Sequence, residues 1–288
     1  MQRRLLRWIA LVGFIMAAPS AGAATFAEIQ NKGQILTCAF DNRLPYSNSE
    51  GDVRGLQIDL AEEIAKDLGV ALDVRWILYR FHARRAGCDM QMGTVARIGK
   101  GDDDDDDDER ASNRRLQGAA GQQIFNLRQR VRPKKSDPYF ASTTHLVATE
   151  TLAKATEFSD LKGHKVAALH GSWAHFMLDQ NGIKPVTRYE TDIAILDALV
   201  EGEIDAGIVA STYFGWFGKT HPEAKLAIAD GFDLDSDMTF NVAVSLRGAD
   251  EALIKRVNET LARLRSEGWL ASLYQKYGIP YQAPRTAK

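Results

Sequence analysis

The chain has 288 residues, of which 45% are hydrophobic and 26% charged, with 36 Lys and Arg against 38 Asp and Glu. This composition predicts a globular protein of about two domains and excludes collagen-like, disulfide-dense and multi-pass membrane proteins. The formal net charge of −2 argues against binding to nucleic acid.

Residues 1–23 have the pattern of a secretory signal peptide. Three arginines precede an apolar stretch at 8–18, and the small residues at 21–23 resemble a cleavage site. The apolar stretch is shorter than the about 20 residues needed to span a bilayer. We therefore expect a periplasmic protein that is not held by the membrane after cleavage.

Strands and helices alternate after this segment. Apolar residues at 35–40, 70–76 and 88–93 predict three strands. Residues 56–68 carry a leucine or isoleucine at every fourth position, which indicates an amphipathic helix ended by Gly69. This β-α-β order predicts a parallel sheet.

The two cysteines, Cys38 and Cys88, lie in the first and third of these strands. Neighbouring parallel strands are about 4.8 Å apart, which suits a disulfide, and an oxidising compartment keeps such a pair closed. We therefore predict a Cys38–Cys88 bridge. Two free buried thiols are the main alternative, and no histidine accompanies the pair at the spacing of a metal site.

The regular pattern stops over residues 95–135. This segment contains the acidic run Asp102–Glu109 and a basic tract at 128–135, with at most a short helix at 122–127. We predict a solvated irregular insertion, because adjacent like charges repel one another. The alternative is that the run attracts a basic partner or a hard cation such as Ca²⁺ or a lanthanide, since dense carboxylates suit such ions.

A second α/β unit follows the insertion. Ser172 and Thr191 stand where the N-caps of two helices are expected. Strands are predicted at 145–149, 165–169, 186–189, 204–209 and 240–246, and helices at 173–180, 192–200, 211–218 and from 250 onward, where Leu253, Val257, Leu261 and Leu264 share one face.

The chain contains few candidates for catalysis. Its six histidines are scattered, and it has no nucleophile-elbow, zinc-protease, P-loop or dinucleotide-binding motif. We therefore expect a binding protein rather than an enzyme, with no cofactor and no metal site.

Ligands of open α/β sheets bind beyond the C-terminal ends of the strands, where helix N-termini present unpaired N–H groups. This rule predicts a cleft lined by residues that follow each strand, although any one of them could be an ordinary loop or capping residue. The candidates are Asp41, Asn42, Arg43, Tyr46, Tyr79, Arg80, Thr94, Arg97, His170, Gly171, Ser172, Trp173, Thr191, Ser211 and Tyr213.

Several segments resemble the bacterial extracellular solute-binding proteins of family 3. They are Leu161-Lys162-Gly163, Gly171-Ser172, residues 198–206 and the ending at 266–278. The resemblance covers residues 30–95 and 136–280 and fails over the insertion. It implies a two-lobe type II periplasmic binding protein fold, an α/β architecture with parallel-rich sheets flanked by helices.

The resemblance also implies a division of the chain. The predicted segments are the signal peptide at 1–23, the first part of lobe 1 at 24–94, the insertion at 95–135, a crossover at 136–149, lobe 2 at 150–245, and C-terminal helices at 246–288 that return to lobe 1.

Residues 36–48 and 87–93, with the cysteine pair, are similar to a narrower subgroup, which includes the J protein of methanol-oxidation gene clusters. Pro138-Tyr139, residues 238–242 and residues 277–280 fit the same subgroup. The similarity implies a non-enzymatic accessory protein that binds or helps to activate a periplasmic dehydrogenase dependent on pyrroloquinoline quinone (PQQ). The alternative is the solute receptor of an ABC importer for a small polar solute.

The family resemblance also bears on the ligand. Amino-acid-binding members use an Arg for the ligand carboxylate and, five residues beyond the Ile-Asp-Ala aspartate, an Asp for the ammonium group. Counting from Asp205 leads to Ala210, which cannot pair with a charge. Arg97 precedes the usual carboxylate position, and Glu109-Arg110, which resembles the usual Glu-Arg pair, lies across the acidic run. An ordinary zwitterionic amino acid is therefore not the expected ligand.

Overall fold

The computed structural model describes residues 25–78, 86–96, 133–150, 152–234 and 238–286. The predicted signal peptide, the acidic run and the possible helix at 122–127 lie outside these residues. The predicted division of the chain into segments stays a prediction.

The described residues form a mixed sheet flanked by helices. The strands are β1 Gln34–Phe40, β2 Asn42–Arg43, β3 Ser47–Asn48, β4 Ala71–Ile77, β5 Met90–Ala96, β6 Pro133–Lys135, β7 Phe140–Ala148, β8 Val166–Ala167, β9 Ala206–Ala210, β10 Ala227–Ile228 and β11 Thr239–Arg247. The helices are α1 Phe26–Lys32, α2 Leu56–Asp67, α3 Trp173–Gln180, α4 Asp192–Val200, α5 Ser211–Thr220, α6 Glu251–Ser266 and α7 Trp269–Lys276, and short 3-10 helices span Leu152–Lys154 and Phe158–Leu161.

The strand order is β4-β1-β5-β11-β7-β9-β8, with β6 added to β11 and β10 added to β7. β1 runs parallel to both β4 and β5, which confirms the predicted parallel arrangement. β7 belongs to both halves of the sheet. Its residues 140–143 pair with β11 and its residues 144–148 pair with β9.

The hydrophobic core divides with the sheet. The first cluster packs α1, α2, α6 and α7 against β1, β5 and β11, and it includes the predicted face of α6 with Leu253 and Val257. A second cluster lies around β8, β9 and α3, and a third between the sheet, α4 and α5. The C-terminal helices α6 and α7 thus share the first cluster with the N-terminal strands. We call the elements around the first cluster lobe 1, and those around the second and third clusters lobe 2.

The predicted helix at 56–68 illustrates why these elements form. Leu56, Leu60 and Ile64 are fully buried in the first cluster, and each contributes roughly 1.5–3 kcal/mol through burial of its side chain. The helix ends before Gly69, whose φ of 71° lies in the left-handed region.

Other predicted elements differ in extent. β7 begins five residues before the predicted strand at 145, and the predicted strand at 186–189 is reduced to one bridge between Val186 and Ala167. None of the helices in the described ranges is both long enough and apolar enough to cross a membrane.

Cys38 and Cys88 form the predicted disulfide, with their Cα atoms 5.7 Å apart. Both are buried and pack with Ile77, partly buried Leu36 and Phe40. The bridge therefore links β1 covalently to the segment just before β5.

Removing this bridge tests its contribution to stability. The cysteines are 50 residues apart, and a closed loop of this size stabilises the folded state by about 4 kcal/mol through chain entropy. We expect Cys38→Ala with Cys88→Ala to lower the free energy of unfolding in urea by about that amount. Dithiothreitol should lower the Tm of the natural chain but not that of the double variant. Two titratable thiols in denatured, unreduced protein would contradict the bridge.

Candidate ligand-binding site between the lobes

Three helices of lobe 2 begin at one edge of its sheet. β8 is parallel to β9, and Val186 bridges to β8 in the same sense, so their C-terminal ends share an edge. Ser172 caps α3 and Thr191 caps α4 through side-chain oxygens, as predicted, whereas Ala210 gives α5 no side-chain cap. The first N–H groups of α5 therefore have no side-chain acceptor at the N-cap.

The loop after β1 presents Tyr46 to lobe 2. The N–H of Leu56 donates to the carbonyl of Pro45 (2.8 Å), and that of Gln57 donates to the carbonyl of Tyr46 (2.9 Å). These bonds hold the loop on the first turn of α2. Tyr277 adds a link from the C-terminal segment, because its hydroxyl accepts from the N–H of Gly55 at 3.1 Å.

Tyr46 contacts the start of α5. Its hydroxyl hydrogen-bonds with that of Thr212 (2.5 Å), and its ring meets that of Tyr213 edge to face at 5.3 Å. Thr212 is 1% exposed. Burial raises the pKa of Tyr46 to about 12, and burial together with Tyr46 and Asp192 raises the pKa of Tyr213 above its ordinary value. Both phenols therefore stay protonated at neutral pH.

A second contact joins the lobes further along α5. A Cβ on Gly278, whose φ is +75°, would lie 2.8 Å from the carbonyl oxygen of Gly215, so the two backbones approach closely. Trp216 packs on Tyr277 at 5.9 Å, and the ammonium group of Lys219 donates to the carbonyl of Lys276. α5 is thus in contact with lobe 1 along most of its length.

Asp192 lies directly beside position 210. Its Oδ1 accepts the N–H of Ala210 at 2.8 Å, and the residue is 8% exposed. Burial raises the pKa of this carboxyl, partly offset by the bond from Ala210. The neighbouring Ser211 is 9% exposed, and its hydroxyl has no hydrogen-bond partner among the described residues.

Sequence reasoning missed both Asp192 and Thr212. An Asp in the first turn of a helix is expected to stabilise the helix by interacting with its dipole. This expectation does not indicate that the carboxylate of Asp192 accepts a hydrogen bond from Ala210 at the end of β9. Thr212 directly follows the candidate Ser211, and only the pairing of the lobes reveals its contact with Tyr46.

The structure brings part of the predicted set together. Tyr46 meets Tyr213, Ser211 lies one residue from Thr212, and Thr191 precedes Asp192. Arg43 stacks on Phe40, with its guanidinium carbon 4.1 Å from the ring centre, and makes no ion pair with a carboxylate of the described ranges.

Other predicted residues lie apart from this contact. Asp41 and Asn42 hold the β2–β3 hairpin, through the Asp41 carbonyl to Ser49 and the pairing of Asn42 with Asn48. Thr94 is in β5 opposite Ala243. Tyr79, Arg80 and Arg97 lie outside the described residues.

Of the candidates His170, Gly171, Ser172 and Trp173, the first three contact His175. The N–H of Gly171 donates to His175 Nδ1 at 3.0 Å, and the rings of His170 and His175 lie 5.2 Å apart. Trp173 is 44% exposed and packs on Phe176. Where side chains are described, no three His, Cys, Asp or Glu residues converge as a metal site would require.

Comparison with solved structures identifies the fold. The L-cystine solute receptor of Neisseria gonorrhoeae, in its open unliganded form, is 17% identical and superposes with a TM-score of 0.63 over 90% of this chain and 98% of its own. An ancestral cationic amino acid solute-binding protein is 20% identical, with a TM-score of 0.65 over 88% and 99%. An amino acid ABC transporter substrate-binding protein of Streptococcus pneumoniae bound to L-arginine is 20% identical, with a TM-score of 0.59 over 87% and 97%. The chain has the predicted α/β fold of type II periplasmic binding proteins.

The relatives found by sequence comparison are longer than the part that this chain matches. The membrane-bound lytic murein transglycosylase F of Pseudomonas putida is 23% identical over 96% of this chain and 53% of the relative. A probable histidine-binding protein of Neisseria gonorrhoeae is 27% identical over 49% of this chain and 53% of the relative. The chain thus spans about half the length of the curated relatives it matches. No protein-family model matches it.

The bond between Tyr46 and Thr212 gives a test of the contact between the lobes. Tyr46→Phe leaves a buried hydroxyl without its partner, so we expect the free energy of unfolding to fall by about 1 kcal/mol. A double-mutant cycle with Thr212→Val should show a coupling energy of about 1 kcal/mol. The same cycle with Thr220→Val, which removes a hydroxyl from the other end of α5, should be additive. Zero coupling between Tyr46 and Thr212 would mean that the lobes do not touch here in solution.

The buried carboxyl of Asp192 predicts a pH dependence of stability. Its folded-state pKa is raised above the unfolded value, so its contribution is full at low pH and is lost as the pH rises through the folded pKa. Asp192→Asn keeps the acceptor for Ala210 and removes the charge.

Calorimetry between pH 4 and pH 8 should therefore show the Tm of Asp192→Asn rising relative to the natural chain. A difference of 1 kcal/mol shifts the Tm by about 2–4 °C in a protein of this size. The charged and titratable groups around the site are Tyr46 and Tyr213, which stay neutral in this range, and Arg43. A variant that is less stable at pH 7 would show that a counter-charge compensates Asp192.

Proposed function

We propose that the chain is the periplasmic solute receptor of an ABC importer and binds a small amino-acid-type solute between its lobes. The observation that carries this proposal is the junction of the lobes, where the uncapped start of α5 faces Tyr46 with a buried acid and a buried hydroxyl beside it. Polar groups that converge between two hinged lobes are suited to enclose a small polar ligand.

The solved structures support the amino-acid class. Their titles name L-cystine, L-arginine and cationic amino acids, and one curated relative is described as a probable histidine-binding protein. The sequence-based argument against a zwitterionic ligand depended on the missing carboxylate at position 210. Asp192 lies beside that position, so the argument no longer excludes an amino acid.

Arg43 is the candidate for the carboxylate of the ligand. A guanidinium recognises a carboxylate through two parallel hydrogen bonds, and the side chain of Arg43 is exposed and unpaired within the described ranges. Its stacking on Phe40 fixes the direction of the side chain without consuming its donors.

A second candidate is the accessory protein of a PQQ-dependent dehydrogenase. It is favoured by the subgroup motifs in the sequence, by the Cys38–Cys88 bridge, and by the direct contact of Tyr46 with Thr212, in which the protein's own side chains close the junction. None of the relatives and structures named above is described as a partner of a dehydrogenase, so the receptor is the better supported proposal.

The expectation that the chain is not an enzyme stays a prediction. Most of the named neighbours are binding proteins, whereas the transglycosylase matches this chain over about half of its own length.

A thermal-shift screen with single L-amino acids at 1 mM tests the receptor. A ligand present at 100 times its Kd stabilises the folded state by about 2.7 kcal/mol, which corresponds to a rise in Tm of at least about 5 °C. Arg43→Gln should abolish this shift. The matched control is Arg54→Gln, because Arg54 is also exposed on lobe 1 but pairs with Glu62. No stabilising amino acid, combined with recovery of a dehydrogenase by the tagged natural chain, would favour the second candidate.

A further inference from the structure

Two neighbouring strands pass from one lobe to the other at the same point of the sheet. β7 exchanges its partner β11 for β9 after Thr143. β11 runs from Met238, in the second cluster, to Val242, in the first. Thr239 of β11 pairs with Thr143 of β7, so the two strands cross side by side. Both lobes share this crossing, which therefore keeps its place when one lobe turns relative to the other.

The lobes meet at a second point through their backbones. A Cβ on Gly215 of α5 would lie 2.7 Å from the carbonyl oxygen of Gly278, and a Cβ on Gly278 would lie 2.8 Å from that of Gly215. No change of rotamer can widen a contact of backbone on backbone. Beside it, the ammonium group of Lys219 donates to the carbonyl of Lys276. The two glycines therefore set the distance between α5 and the C-terminal segment, residues 277–285.

The C-terminal segment connects the two points. Beyond Gly278, the carbonyl of Gln282 accepts the N–H of Ala141 at 3.0 Å. The side-chain amide of Gln282 donates to the hydroxyl of Thr143 at 3.4 Å. One short stretch of chain thus contacts α5 at one end and the strand crossing at the other, and it runs along the line that joins them.

The contact at the start of α5 is of a different kind. Tyr46 meets Thr212 through a pair of hydroxyls and Tyr213 through an edge-to-face ring contact, so only side chains are involved. A hydroxyl released from such a bond forms an equivalent bond with water, whereas packed backbones that separate lose their contacts outright. We therefore expect this contact to break more easily than the contact of the two glycines.

We propose that the lobes rotate about the line that joins the strand crossing to the Gly215–Gly278 contact, and that the Tyr46–Thr212 contact opens in this motion. A rigid body that is held at two points can turn only about the line through them. Gly215 and Gly278 are therefore positioning residues, which place α5 where Thr212 reaches Tyr46. The inference goes beyond the proposed receptor function and applies to either candidate function, because no ligand enters it.

A matched pair of glycine variants tests the second point. Gly215→Ala places a methyl group against the carbonyl of Gly278, whereas a Cβ on Gly218 of the same helix meets no atom within 4 Å. Both variants gain the helix propensity of alanine. We expect Gly218→Ala to keep or raise the Tm, and Gly215→Ala to lower it because the methyl group forces the backbones apart.

The coupling between Tyr46 and Thr212 reports whether α5 has moved. The double-mutant cycle of Tyr46→Phe and Thr212→Val should lose its coupling in the Gly215→Ala background and retain it in Gly218→Ala. A purely local loss of packing would lower the Tm and leave the coupling intact. Retained coupling in Gly215→Ala would overturn the inference.

Spin labels test the axis in a chain that keeps both contacting glycines. One pair, Gly218→Cys with Gln275→Cys, lies three residues from each of them. The other pair, Asp73→Cys with Gln180→Cys, joins β4 to α3, which packs beside β8 at the opposite end of the strand order. All four positions are exposed, and the natural cysteines are closed in a disulfide, so only the introduced thiols react.

Distance distributions from electron paramagnetic resonance are recorded for both pairs, with and without Tyr46→Ala. We expect Tyr46→Ala to shift or broaden the distribution of the 73–180 pair and to leave that of the 218–275 pair unchanged. Equal changes in both pairs would show that the glycine contact is not a fixed point, and no change in either would show that Tyr46 does not hold the lobes. Each of these two results overturns the inference.

The spin-label measurement decides the inference if Gly215→Ala does not fold, because both contacting glycines are present in the labelled chains. It also needs no ligand. A chain that binds no amino acid but shows the expected difference between the two pairs would confirm the hinge axis while the receptor function fails.

Discussion

The passage of β7 through both lobes is the constraint on which the rest of the structure depends. One half of this strand pairs with β11 and the other with β9, so the register of a single strand relates the two cores. A slip of one residue would turn every side chain of β7 to the opposite face. The C-terminal segment holds the crossing in place, because Asn241 exchanges hydrogen bonds with the backbone of Arg285. The end of β9, and with it the start of α5, therefore has a defined position against lobe 1.

That position decides how the junction of the lobes is built. Its contacts include a neutral hydroxyl pair, two aromatic contacts, the bond from the Lys219 ammonium group to the carbonyl of Lys276 and the close approach of Gly215 to Gly278. Each neutral hydrogen bond contributes only about 1 kcal/mol. Contacts of this strength would permit rotation of the lobes about β7, the hinge motion that the proposed receptor function requires.

The elements that the sequence predicted well are those with a strong period. α2 and α6 have one apolar face each, and the strands of the parallel sheet are rich in apolar residues. Elements without such a signal were missed, among them α1 and the β2–β3 hairpin, whose strands are too short for a period to show. Residues 186–189 have the apolar pattern of a full strand because Val186 and Tyr189 pack against the third cluster, yet only Val186 pairs with the sheet. For the site, the strand-end rule found Tyr46, Ser211 and Tyr213, but no rule based on sequence order pairs residues from different lobes.

Asp192 shows why a site is better recognised from an inconsistency than from a motif. An acid in the first turn stabilises a helix by about 0.3–1 kcal/mol through the helix dipole, whereas burying a carboxylate away from water costs several kcal/mol. Local stability therefore favours a neutral side chain at position 192, and the acid departs from what the helix alone requires. Departures of this kind concentrate where a protein binds something, because the partner compensates in the complex for what the free protein lacks. A ligand group that neutralises this carboxylate would make the charge consistent with its burial, and the Ser211 hydroxyl, which has no hydrogen-bond partner among the described residues, lies one residue from Ala210, whose N–H Asp192 accepts.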